Sequence, residues 1–370
     1  MAGIYIHIPF CKTRCIYCDF YSTTRLEERD TYVDSLISEI QIRSKEEIWK
    51  NKIYTTIYFG GGTPSQLSAL HFQRITDALY ENFTITNDAE FTVEANPDDI
   101  NNFTQILSLL PINRISMGIQ SFNDKRLRML GRRHSAQQAR DAVKICKDTG
   151  IHNLSIDLMF GFPEETLDEW ESDVDNALRL GVQHISTYSL MYEPGTKIYN
   201  MLHHNEIKEI NEGLSNQMYI MLCEKLKVAG YEHYEISNFA LPHFRSLHNS
   251  GYWSNTPYIG FGAKAHSYDG NKRSWNGPMQ GGRYEQENEE ILTLNDKYNE
   301  NIMTRLRTCE GIKIHEINSM FGATYTQHLL KQLQSHIKQE NICIDNNLEQ
   351  VKLTRKGILI SNLVMSDLMK

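Results

Sequence analysis

Three of the seven cysteines fall close together as Cys11, Cys15 and Cys18, spaced C-x3-C-x2-C. Thiolates in one short loop can surround one small inorganic object. Zinc wants four ligands closed into a tetrahedron. Only His7 lies near enough in sequence to supply a fourth, and it falls inside the first expected strand, pointing away from the loop. Three soft thiolates without a fourth ligand suit an iron–sulfur cluster that keeps one iron open. Zinc and three incidental loop cysteines are the alternatives. Cys146, Cys223, Cys309 and Cys343 are scattered and read as small buried hydrophobes. An odd cysteine count in a long chain without an export signal argues against a disulfide framework.

Further chemistry-bearing residues follow expected strands. Gly60-Gly61-Gly62-Thr63-Pro64 is a tight turn with Pro64 opening the next helix, and its glycines let a backbone approach a ligand closely. Glu94 closes FTVEANP, Gln120 closes SMGIQSF, Asp157 lies in SIDLMFGFP and Arg132 in LGRRH. Each alone reads equally well as a cap or turn residue. Several together beside a loop of thiolates point to one shared mouth, because sites on (β/α) barrels form at the C-terminal ends of the strands.

The elements that must position these residues alternate. Strands are expected at Gly3–Ile8, Thr55–Phe59, Glu90–Glu94, Arg114–Gly118, Leu154–Met159 and His184–Leu190. Helices are expected at Thr31–Arg43, Leu67–Tyr80, Ala136–Lys147 and Leu167–Leu180, the last with Trp170, Val174, Ala177 and Leu178 at helical spacing. Repeated βα units imply an α/β fold with a parallel sheet, either doubly wound or a partial (β/α)6 barrel. One long helix is expected from Glu206 to Ala229, and residues 230–300 read as irregular. The C-terminal segment reads as helices Ile314–Phe321 and Tyr325–Lys338, a hairpin near Ile342–Leu353 and a helix Lys356–Met369, a mostly helical, winged-helix-like arrangement. Glu316, Glu340, Asp345 and Glu349 dilute its basic residues, so a partner-facing or structural role is expected rather than nucleic-acid binding.

Composition agrees with a globular chain. Of 370 residues, 40% are hydrophobic and 23% charged. Lys+Arg is 38 and Asp+Glu is 46, a net charge of −8, which speaks against sequence-independent binding to phosphate backbones. There is no apolar run of about 18 residues, and MAGIYIHIPF lacks the features of a secretory signal. A cytoplasmic protein is expected.

The run YIHIPFCKTRCIYCDFYS resembles radical S-adenosylmethionine (SAM) enzymes, and within them the HemN/HemW branch; the resemblance covers nearly the whole chain. It implies that Cys11, Cys15 and Cys18 hold three irons of a [4Fe-4S] cluster whose open iron is chelated by SAM, so that an electron from the cluster yields a 5′-deoxyadenosyl radical. It implies that Gly61, Gly62 and Thr63 lie along the SAM amino group and that Glu94, Gln120, Arg132 and Asp157 contact SAM. Arg132 would meet a carboxylate. Tyr5 matches the aromatic position before the cluster. Tyr17 would lie near the adenine or simply pack in the loop, and Ser189 in STYSLMYEPGT is a weaker pocket contact.

Coproporphyrinogen III dehydrogenases of this branch read C-x3-C-x2-C-x-C, whereas Phe20 stands here in place of the fourth cysteine. The long N-terminal extension of those dehydrogenases is not expected either. Both departures match the HemW group, regarded as haem-binding chaperones. His248-Asn249-Ser250-Gly251-Tyr252-Trp253 reads H-N-x-x-Y-W, a motif associated with that group. His248 is therefore the expected haem ligand, with Tyr252 and Trp253 as a flat wall and Arg245 near a propionate. The alternative is an ordered surface loop, with His266 or the pair His203 and His204 as ligand. Three domains are expected: residues 1–200 as the radical SAM partial barrel, 201–300 as a long helix and barrel-extending segment, and 301–370 as the HemN-type C-terminal domain. The expected function is a haem chaperone that carries a [4Fe-4S] cluster and SAM. The alternatives are an oxygen-independent coproporphyrinogen III dehydrogenase and a radical SAM enzyme acting on another tetrapyrrole. Partners implied are haem or a porphyrinogen, haem-receiving apoproteins, an electron donor and a transient membrane-protein contact, with no nucleic acid.

Overall fold

The computed structural model describes residues 1–345 and 350–370. Six strands, β1 (Ala2–Ile8), β2 (Ile53–Gly61), β3 (Thr84–Ala95), β4 (Arg114–Gln120), β5 (Asn153–Phe160) and β6 (His184–Ser189), lie side by side in chain order. All five pairings between them are parallel, and intervening helices cover their outer face, giving an open, partial (β/α)6 barrel. Strand side chains alternate between two faces. Ile57, Phe59, Phe91, Val93, Ile115, Met117, Ile156 and Leu158 are buried in the main core. The intervening positions, Tyr58, Thr92, Glu94, Arg114, Ser116, Ser155 and Asp157, make a polar lumen.

Local signals start and stop the helices. Leu167–Leu180 opens with a capping box between Thr166 and Glu169 and ends at Gly181, whose φ is 57°. Its Trp170 is fully buried, lies tilted against Phe160 with ring centroids 5.2 Å apart and donates from Nε1 to the Met218 carbonyl at 3.1 Å. The long helix expected from Glu206 is shorter, Glu212–Val228, because Asn211 caps it by accepting from the Leu214 N–H.

The segment 230–300, read as irregular within a barrel-extending region, supplies six short strands that widen the sheet. β7 (Glu232–Glu235) and β8 (Asn238–Ala240) form a hairpin, with β8 antiparallel to β6. At the other edge β9 (Tyr258–Phe261) runs parallel to β1, followed by β10 (His266–Tyr268), β11 (Lys272–Asn276) and β12 (Gln286–Ile291). Between these edges the helix Leu247–Trp253 plugs the lumen from the N-terminal ends of β1 and β2. Gly3 makes this approach possible: a Cβ there would lie 2.9 Å from Thr56 Oγ1 and 3.2 Å from the His248 ring.

A second core gathers Tyr298, Ile302, Leu306, Ile317, Leu329, Leu333, Val351, Val364 and Leu368. It therefore takes in the helix Leu294–Leu306, which straddles the boundary read from sequence at residue 301. Helices Ile314–Phe321 and Ala323–Lys338 pack with a small antiparallel sheet of β13 (Ile312–Lys313), β14 (Ile342–Asp345) and β15 (Gln350–Leu353). Residues 346–349, Glu349 among them, lie outside the described residues. The last expected helix is two, Arg355–Leu359 and Ser361–Leu368. Among the described residues no helix is long and apolar enough to cross a membrane.

Candidate functional site

The mouth at the C-terminal ends of the strands holds a cavity of about 390 Å³. Cys11, Cys15 and Cys18 line it together with Gly61, Gly62, Thr63, Glu94, Gln120, Arg132 and Asp157. Tyr17 and Ser189 line it as well. The cysteine loop is closed at its base by Cys11 N donating to the Thr23 carbonyl at 2.9 Å and Thr23 N to the Pro9 carbonyl at 2.7 Å. Its far side is pinned where Ile16 N donates to the Leu130 carbonyl and Ile198 N to the Ile16 carbonyl. The glycine loop packs against the end of β1, with Gly62 N donating to the Ile8 carbonyl at 2.8 Å. Gly61 has φ +108°, and a Cβ there would meet the His7 ring at 2.5 Å, so glycine is required twice over. Cys11 Sγ lies 3.4 Å from Thr63 Oγ1.

Glu94, Gln120 and Asp157 face this cavity from the successive strands β3, β4 and β5, and Arg132 joins them from the loop after the helix Asp124–Leu130. Glu94 accepts from Tyr58 OH at 2.8 Å and from Gly61 N at 3.2 Å. Burial pushes its carboxyl up to about 7 despite those bonds. Burial likewise pushes Asp157 up to about 6, offset by hydrogen bonds from Ser186 and Ser116 and by the charges of Arg114 and Arg132. Arg114 is completely buried one inward-facing step below Ser116, a fixed cation under both carboxylates. Gln120 sits at φ 70°, an unusual conformation for a side-chain-bearing residue, beside a register shift between Gly118 and Gln120. Arg132 donates to Asn96 Oδ1 at 2.6 Å, to the Gly118 carbonyl and to Cys15 Sγ at 3.5 Å.

The donor set fits the groups it would hold. Among the described residues no three His, Cys, Asp or Glu side chains converge on a single-ion geometry. A cluster spreads its thiolates over separate irons and needs no such convergence, and all three cysteines are free thiols. For SAM, the cavity lining includes two carboxylates, Glu94 and Asp157, able to accept from an ammonium or a hydroxyl. Arg132 Nε, buried and without a partner, remains for a carboxylate.

Tyr5 does not line this cavity. It lines an adjoining one of about 620 Å³, with His7, Phe20, Tyr258 and His266. Its hydroxyl lies 3.1 Å from His7 Nδ1, whose other nitrogen reaches the Tyr21 carbonyl. His248 is not a free ligand on a surface loop. It is 3% exposed, Nδ1 is 2.8 Å from Thr56 Oγ1 and Nε2 is 2.9 Å from Tyr252 OH. Its ring stacks on Tyr58 at 5.0 Å, and burial lowers its pKa to about 3. Both nitrogens are committed, so neither is open to iron. Arg245 is likewise engaged by Glu232 and Glu310, and Trp253 packs under Arg307 at 4.8 Å. His203 ends a short helix and His204 lies beside Glu206, both away from the mouth cavities.

Residues 5–177 match the model of the Radical SAM superfamily and residues 292–360 that of the HemN C-terminal domain. The heme chaperone HemW of Lactococcus lactis is 35% identical over 366 residues, covering 97% of this chain and 94% of that protein. The chain belongs to the HemW family of radical SAM proteins. The heme chaperone HemW of Bacillus subtilis is 34% identical over 377 residues, covering 98% of this chain and 97% of its own. Coproporphyrinogen III oxidase (HemN) of Escherichia coli aligns with a TM-score of 0.84 at 22% identity, over 100% of this chain and 90% of that one, and so shares the fold.

In this HemW-family chain, sequence reasoning missed Asn96, Tyr58 and Asp99. Asn96 Nδ2 donates to Thr63 Oγ1 at 3.3 Å, linking the glycine loop to Arg132. Asn96 stood in plain view in FTVEANP, one step past Ala95. Tyr58 was legible only as an inward-facing position on β2. Asp99 had no local signal.

Proposed function

We propose that the chain is a haem chaperone: it takes haem as cargo beside a [4Fe-4S] cluster and SAM and passes it to apoproteins. The observation that carries this reading is end-to-end kinship with relatives named heme chaperone HemW, 32–35% identical over most of the chain. Phe20 supports it, standing 65% exposed at the rim where the dehydrogenases carry a fourth cysteine.

In this reading Cys11, Cys15 and Cys18 hold the cluster. When bound, the cluster and SAM together supply an open iron for chelation and an electron for reductive cleavage of the sulfonium. The chain's own residues bind and orient. Gly61, Gly62 and Thr63 present backbone and hydroxyl groups to the amino group, and Glu94 and Asp157 accept from ammonium and hydroxyl donors. Arg132 meets the carboxylate through Nε, Gln120 adds a polar contact, and Tyr17 covers the adenine. An electron donor and transient contact with haem-receiving membrane proteins belong to the same reading. The second reading, a coproporphyrinogen III dehydrogenase, is favoured by the intact thiol loop and its polar cavity. The separating experiment is anaerobic incubation of reconstituted protein with SAM, reductant and coproporphyrinogen III, alongside a haem titration. The chaperone reading expects saturable haem binding, one per chain, and no decarboxylated product. Product at a useful rate together with no haem binding would overturn it.

A further inference from the structure

We propose that haem seats in the 620 Å³ cavity beside the thiol loop, with His266 as its axial ligand and Arg14 at a propionate. The inference rests on the haem reading and adds to it a place and a ligand.

The volume lies within the range of about 300–1,000 Å³ typical of small-molecule sites. The walls suit a flat apolar ring: Tyr5, Tyr252 and Tyr258 on the barrel side, and exposed Phe20 on the loop side. Haem iron also wants an axial donor on a neutral imidazole. Two histidines line the cavity. His7 is spent, since both its nitrogens are hydrogen-bonded. His266 opens β10 as an exposed residue, and no described residue hydrogen-bonds its ring. It stacks on Trp275 at 5.6 Å with an interplanar angle of 22°, which fixes the ring plane while leaving the nitrogens free. Partial burial of the ring against its neighbours and the charges of Arg273 and Lys264 lower its pKa, favouring the neutral form that binds a metal.

Propionates need cations. Lys264 is already paired with Glu287 at 2.6 Å. Arg14 makes no ion pair or hydrogen bond among the described residues. It lines both cavities, as do Asp19, Phe20 and Ser22. The haem edge would thus abut the thiol loop while leaving Glu94, Arg132 and Asp157 to SAM.

The test uses the full chain with its cluster reconstituted anaerobically, titrated with haem and separately with metal-free protoporphyrin IX. A His266→Ala variant should bind haem at least tenfold more weakly, lose the wild-type Soret position and recover it with added imidazole. Its affinity for protoporphyrin IX should be unchanged, because that ring has no iron to ligate. Arg14→Gln should weaken both ligands severalfold. A His203→Ala, His204→Ala double variant should match the wild type. Equal loss of both ligands in His266→Ala would make His266 a wall residue and overturn the ligand assignment. Unchanged haem binding in that variant would overturn the seat while leaving the chaperone reading intact. A wild type that binds no haem would overturn both.

Discussion

Lys12, inside the cysteine loop, donates to Asp99 across 2.8 Å, and the Asp99 side chain is only 4% exposed. The other Asp99 oxygen accepts from Gln66 Nε2 at 2.6 Å, Ser65 Oγ at 3.0 Å and Arg133 at 3.3 Å. One buried carboxylate therefore ties the thiol loop to the residues just past the glycine loop and to the segment carrying Arg132. Hydrogen bonds to a charged group are worth about 1.5–3 kcal/mol each. Asp99→Ala should lower unfolding stability by about 2–4 kcal/mol, the cost of breaking a buried charge network. It should also cut reconstituted iron and sulfide to under about half, because the thiols lose their register. Asp99→Asn keeps the shape and should retain most of the cluster. Iron, sulfide and denaturation measurements on the two variants check this.

Glu94 should make SAM affinity depend on pH. Its carboxyl is raised to about 7, so below that pH the buried group is mostly protonated and no longer offers charge to an ammonium. Apparent affinity scales with the competent fraction. Binding should therefore be about tenfold weaker at pH 6 than on the plateau above pH 8. Glu94→Gln should bind weakly and lose most of that slope. Calorimetric titration across this range decides the point, and a wild-type affinity flat from pH 6 to 8 would contradict it.

His248 should behave as a structural residue. It hydrogen-bonds Thr56, stacks on Tyr58 and caps the lumen. His248→Ala should cost about 2–4 kcal/mol, from lost packing and the stranded Thr56 and Tyr252 hydroxyls. The folded pKa of about 3 lies below the ordinary 6.5. Its neutral-state contribution is therefore full above pH 6.5 and is lost as pH falls towards 3. The stability gap between wild type and variant should narrow between pH 7 and 4. The Soret position of bound haem should not move in this variant.

The alternation of β1 to β6 with helices was legible because most core-facing strand positions are apolar, such as Ile57 and Phe59 on β2 and Ile115 and Met117 on β4. Cluster and SAM candidates were legible because strand-end residues converge wherever parallel strands do. The extension was legible as a region but not strand by strand. β7 to β12 are short and pair with β1, β6 or one another, so their strand state comes from tertiary contact rather than from periodicity. β3 begins at Thr84 rather than Glu90 because Thr84 and Ile85 pair with Ile53 and Tyr54, a register that polar residues do not announce. The role of His248 was hidden for the same reason: Thr56 lies 192 positions away. Nothing local separates an imidazole that plugs a barrel from one that waits for iron.

A haem chaperone must give its haem away. The most direct measurement mixes haem-loaded, cluster-bearing protein with membrane vesicles containing a haem-free b-type cytochrome and follows the Soret band in time. The band should move to the cytochrome position, at a rate that rises with vesicle concentration, as direct handover requires. A slow transfer whose rate is the same at every vesicle concentration would mean passive loss of haem and would rule out a chaperone.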